Sequence, residues 1–133
     1  MNQQPSKSDV KKWVRTLRSG KYSQDTHQLQ TDNGMCCLGV ACKVFIPKDK
    51  LNVNKNTGKL IGILPDMGVQ PNAPTWLQDI NNNFKAQVGF DLFYLNDGRN
   101  IADYGNVSSR IEQHSFDEIA DTLEAVYIHE VLK

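Results

Sequence analysis

Long apolar runs are missing from this chain. None approaches the roughly 18 residues that a membrane-spanning helix needs. The opening stretch MNQQPSKSDVKK has no apolar segment of the kind a secretory leader carries. A cytoplasmic protein with no membrane partner is therefore expected, its thiols kept reduced. The motifs that announce common chemistries are lacking too. There is no GxxxxGK[ST] phosphate loop, no GxGxxG and no GxSxG nucleophile elbow. Neither CxxC nor HxxxH occurs, which argues against a structural zinc site. Net charge is zero and the sequence pI is near 6.8, which is not the signature of a protein that coats nucleic acid. A nucleic-acid partner is not expected.

What is present is enough for one folded unit. The 133 residues read as a single domain over 1–133 that can bury a core without crosslinks. The zero net charge hides a division. Residues 1–60 hold 11 Lys+Arg against 4 Asp+Glu, and residues 61–133 hold 4 against 11. The plain reading is that the two halves complement each other, within the domain or across a homodimer. The sharper one is a basic surface that meets an anionic partner.

Periodicity places the helices. In SKSDVKKWVRTLRSGKY, Val10, Trp13, Val14 and Leu17 share one helical face, with Ser6 or Ser8 as N-cap and Gly20 as the stop. Pro74 opens a second helix whose apolar face is Trp76, Leu77, Ile80 and Phe84. Ser115 and Glu118 form a capping box before a third, with the stripe Phe116, Ile119, Ala120, Leu123, Tyr127 and Val131. Two short hairpins are also expected. One runs from His27 to Cys36 around a type I′ turn at Asn33-Gly34, and one from Leu51 to Leu64 around Asn56-Thr57-Gly58. FDLFYLNDGRN ends in a turn at Asn96-Asp97-Gly98, and IADYGNVSSRIEQ reads as an insertion or a short helix. The expected fold class is α+β, a small single domain with three to four helices packed on two hairpins.

MCCLGVACKVF, residues 35–45, is the most apolar stretch and holds Cys36, Cys37 and Cys42. A zinc site lacks its spacing and its fourth ligand. A disulfide is disfavoured by the reducing compartment and by an odd count. A nucleophilic Cys36 or Cys37 would gain from a helix start, which lowers a thiol pKa, but has no base nearby in sequence. The remaining reading is a buried core helix that ends at Pro47. Of the many carboxylates in the last third of the chain, only Asp97 and Asp103 sit on loops, where a general base belongs. More suggestive is RTLRSGKYSQ, which sets Arg15, Arg18, Lys21, Tyr22 and Gln24 about a flexible glycine. Arginine forks onto phosphate and an aromatic ring stacks on a base.

LRSGKYSQ, then MCCLGVACKVF, then LND, then SFDEIADTLE together resemble a family of small, uncharacterised tailed-phage and prophage proteins. Its members read RSGxYxQ, CCLGVxC, LND and SFxEIAD. Met35 replaces the usual aromatic residue, and residues 98–114 look like added length. The resemblance implies a phage origin, life in the host cytoplasm and no known catalytic residues. By analogy of context it implies a host-defence antagonist. The expected function is thus a non-enzymatic binding protein that sequesters a small anionic, nucleotide-derived signal without cofactor or metal. The ligand-binding set is Arg15, Arg18, Lys21, Tyr22, Gln24, Asn96, Asp97 and Arg99. Two alternatives stand beside it. One is a small hydrolase using Cys36 or Cys37, or Asp97. The other is a protein that binds and blocks a host protein.

Overall fold

The computed structural model describes residues 4–26, 28–61, 70–89, 92–103, 106–111 and 113–129, with the side chains at 93, 94 and 99–111 outside that description. Five α-helices dominate: α1 (Lys7–Arg18), α2 (Cys37–Phe45), α3 (Thr75–Val88), α4 (Leu92–Asp97) and α5 (Phe116–Leu123). A 3₁₀ turn spans Lys48–Lys50, and α5 continues into a π-helical turn at Glu124–Ile128. Two strands, β1 (Arg99–Asp103) and β2 (Asn106–Ile111), pair antiparallel, with a register shift between Ile101 and Ala102.

The helices form where periodicity put them. Ser6 caps α1 by accepting the Asp9 N–H at 3.0 Å, and Gly20, at φ 76°, turns the chain away just past its end. Val10, Trp13, Val14 and Leu17 are all buried. α1 packs on α5, on the π turn and on α2, while α4 packs on α2, α3 and α5. Trp13 sits where these elements meet. Its indole N–H donates to the Cys37 carbonyl at 3.1 Å, and its ring lies 6.1 Å from that of Trp76. Ser115 and Glu118 make the expected capping box on α5. The π turn was not foreseen. It brings both Val126 and Tyr127 into the core, and the Tyr127 hydroxyl donates to Asn83 Oδ1 at 2.8 Å. Val131 lies outside the described residues.

The α+β expectation is overturned, because the core is helical and neither anticipated hairpin forms a strand pair. In the first, Met35 bridges to Gln24 on one side and to Gln30 on the other, and α2 starts two residues later, so no ladder can extend. His27 lies outside the described residues. Gly34 is not at positive φ. It is glycine because an added Cβ would stand 2.4 Å from the Ser23 carbonyl oxygen. In the second, only Val53 and Leu60 bridge, and residues 62–64 lie outside the description. Backbone bonds from the Asn54 and Ile61 N–H groups to the Lys59 and Asn52 carbonyls close the turn, and a buried side chain holds its base. Gln70 accepts the Asn52 N–H at 2.8 Å and donates to the Asn52 and Ile61 carbonyls at 2.5 and 3.0 Å. Two further corrections follow from local chemistry. LND belongs to α4, whose first N–H groups include Leu92, capped by Asn81 Oδ1 at 3.2 Å. The segment read as an insertion or a short helix carries β1 and β2.

α2 is buried on nearly every side from Cys37 to Cys42, and it approaches residue 29 very closely. A Cβ on Gly39 would lie 2.1 Å from the Leu29 carbonyl oxygen, a backbone atom that cannot turn aside. Gly39→Ala should therefore cost about 2 kcal/mol or more, as overpacking in a tight core does. Urea denaturation checks this: a midpoint equal to that of the parent protein would mean that the contact relaxes freely.

Candidate functional site

The sequence-predicted site residues divide into two groups. Gln24, Asn96 and Asp97 belong to an internal polar knot. Asn96 is fully buried, and its side-chain amide is satisfied on both atoms. Oδ1 accepts from Gln24 Nε2 at 3.0 Å and from the Cys37 N–H at 3.2 Å. Nδ2 donates to the Asp25 carbonyl and to Asp97 Oδ1, both at 2.9 Å. Gln24 Nε2 also donates to the His114 carbonyl at 2.7 Å, while the His114 N–H donates to Leu95. One amide thus ties the 24–25 loop, the start of α2 and the end of α4, and Gln24 carries the knot on to the approach to α5. These are the residues of RSGxYxQ, CCLGVxC and LND, here engaged with one another.

Arg18 has a structural partner set as well. Its Nη2 lies 2.5 Å from Asp121 Oδ1 and 2.6 Å from Glu124 Oε1. These hydrogen bonds hold the guanidinium firmly protonated and keep the Glu124 carboxyl below its usual range. The basic and acidic halves of the chain therefore meet across the α1–α5 seam. A cleft of about 500 Å³ runs along it, lined by Lys11, Val14, Arg15, Arg18, Ser19 and Glu124. Arg99 lies in β1, and its side chain is outside the description.

Arg15, Lys21 and Tyr22 come together elsewhere. They line a second pocket of about 370 Å³ beside the last turn of α1, which shares Arg15 and Ser19 with the cleft. Lys12, Thr16, Ser19, Lys43 and Val44 complete it. Among the described residues, four cations and no carboxylate face this space. None of the four makes an ion pair among the described residues. Lys21 Nζ stands 5.5 Å from the Tyr22 ring centroid, close enough for a cation–π contact. Two of the three hydroxyls of the lining are occupied. Thr16 donates to the Lys12 carbonyl at 3.0 Å, and Ser19 donates to the Thr16 carbonyl at 2.7 Å. Lys12 and Lys43 were missed as site residues. Lys12 reads as an ordinary solvated helix position. Lys43 had a signal, being the only charge inside the apolar run.

The cysteines are core. All three are free and buried. Cys36 caps α2, its sulfur accepting the Gly39 N–H at 3.4 Å. The helix start does not activate it, because burial outweighs the backbone hydrogen bonds and pushes the Cys36 thiol up to about 12. Burial likewise raises Cys37 well above the ordinary thiol value and Cys42 to about 11. Among the described residues, no group of three or more His, Cys, Asp or Glu side chains is placed to hold a metal ion. No helix among them is long and apolar enough to cross a membrane.

Fold and site together define a small helical domain with a cationic pocket beside an internally satisfied polar knot. The model of a domain of unknown function, DUF8296, matches residues 6–127, and the chain belongs to that family. No curated protein and no solved structure matches it.

Two predictions follow from this geometry. Asn96→Ala removes the four hydrogen bonds of this amide and leaves the buried Cys37 N–H without its acceptor, at about 1–3 kcal/mol for an orphaned buried group. It should lower unfolding free energy by about 2 kcal/mol or more in urea titration. Asn96→Asp, which keeps the acceptor but loses both donors and sets a carboxylate against Asp97, should also destabilise. Iodoacetamide applied to the native protein at mildly alkaline pH should leave all three thiols unmodified over a time that fully labels the unfolded chain. Fast labelling of Cys36 or Cys37 would reopen the thiol mechanism.

Proposed function

We propose that this is a non-enzymatic binding protein that sequesters a small anionic, nucleotide-derived molecule in the pocket of Lys12, Arg15, Lys21, Tyr22 and Lys43. One observation carries the reading: four cations without ion-pair partners among the described residues line a single pocket that contains an aromatic ring and no described carboxylate. Holding like charges together opposes folding unless an anion offsets them. The volume, about 370 Å³, falls in the range of small-molecule pockets. The buried, protonated thiols favour binding over a thiol-dependent reaction. The phage-type resemblance of the sequence supplies the setting, in which withdrawing a nucleotide signal would antagonise host defence in the host cytoplasm.

The test is a melting-temperature screen of the pure protein against linear and cyclic nucleotides and ADP-ribose isomers. At least one should raise the melting temperature, by mass action on the folded state, and should be recovered chemically unchanged after heat release. Recovery of a cleaved product would instead establish an enzyme. No shift with any compound at large excess would overturn the proposal and favour a protein that binds and blocks another protein.

A further inference from the structure

The pocket also indicates which feature of such a ligand it recognises, an inference that rests on the binding reading above. Its polar groups are unequal. Two neutral donors are already engaged, since the Thr16 and Ser19 hydroxyls both donate to α1 carbonyls, which leaves the Tyr22 hydroxyl as the neutral side-chain donor of the lining. Among the described residues no Asn, Gln, Asp or Glu lines the space, so the amide and carboxylate groups that single out adenine or cytosine are missing. The Arg and Lys side chains, which could also meet a base edge, are drawn first to the more highly charged phosphates. Tyr22 offers a stacking surface, which accepts any base, and Lys21 already stands over its ring. The remaining means of recognition are Lys12, Arg15, Lys21 and Lys43.

Position adds a second constraint. The pocket lies beside the C-terminal turn of α1, where the helix macrodipole is negative. An anion there meets unfavourable carbonyl dipoles that only the four cations offset. Coulomb attraction grows with the product of the charges. A singly charged phosphodiester therefore gains little, whereas a pyrophosphate or terminal phosphate draws on every cation at once. We infer that the pocket selects by charge density, taking a pyrophosphate or terminal-phosphate group over a singly charged phosphodiester and leaving the base unread.

Isothermal titration with inorganic pyrophosphate, ADP, GDP, UDP, AMP and cyclic AMP tests this. Pyrophosphate and the three diphosphates should bind within a few-fold of one another. AMP should be weaker, and cyclic AMP at least about tenfold weaker than ADP. Arg15→Gln and Lys43→Gln, both surface changes, should each weaken pyrophosphate about tenfold, as loss of a charge-assisted contact does. Lys85→Gln on α3 should change nothing. Melting temperatures near that of the parent protein would confirm that the variants fold. If cyclic AMP binds as tightly as ADP, or if the three diphosphates differ by more than about tenfold, charge-density selection is wrong while a nucleotide-binding pocket stands. If none of the probes binds, or if pyrophosphate binding ignores both Arg15→Gln and Lys43→Gln, the pocket itself is wrong.

Discussion

The buried amide of Asn96 is the constraint on which the rest depends. A primary amide away from water must place two donors and its acceptor lone pairs, or it costs more than it contributes. Here every one finds a partner, two of them on the 24–25 loop, one at the start of α2 (Cys37) and one next door in α4 (Asp97). Apolar packing alone would tolerate small slips of these segments past one another. Directional bonds in a low-dielectric interior do not, so the knot specifies one arrangement. Gln24 and the His114 carbonyl extend it to the start of α5.

With those residues engaged, the meaning of the charge asymmetry narrows. Part of the basic surplus is neutralised inside the domain, where Arg18 meets Asp121 and Glu124 across the α1–α5 seam. Such exposed pairs contribute little to stability, but they show where the acidic half of the chain is used. Lys12, Arg15, Lys21 and Lys43 line the neighbouring pocket, which shares Arg15 with the seam cleft but contains no carboxylate among the described residues. None of these four is ion-paired there, so the α1 surface is not uniformly basic in effect.

Residues that obey a single period were legible in the sequence. The Val10–Trp13–Val14–Leu17 face, the Trp76–Leu77–Ile80–Phe84 face and the Ser115–Glu118 box all follow from local spacing and form as expected. What failed depended on contacts between distant segments. Asn33-Gly34 looked like a turn, but Gly34 answers to the Ser23 backbone. The second hairpin keeps a single bridge at Val53 and Leu60 among the described residues, and Gln70, far along the chain, adds hydrogen bonds to Asn52 that local spacing does not show. Asn96 read as a turn residue because asparagine usually is one, and only tertiary structure shows four bonds converging on it. The same blindness split the site. Arg15, Lys21 and Tyr22 are near neighbours in sequence, whereas Lys43 reaches them from another helix.

That helix links the knot to the pocket. α2 is anchored at its N-terminus by Asn96 on the Cys37 N–H, by the Cys36 cap and by the close approach of Gly39 to Leu29. From Cys37 to Cys42 every residue is buried, and Lys43 is the first to reach partial exposure. A rigid helix rises about 1.5 Å per residue, so the place where Lys43 emerges is set by where the apolar run begins. Glycine and small cysteines let that run lie deep without a clash, which brings the one charge it carries to the pocket rim beside α1. MCCLGVACKVF is thus a core segment whose contribution to any ligand is made at its end, by position and not by thiol chemistry.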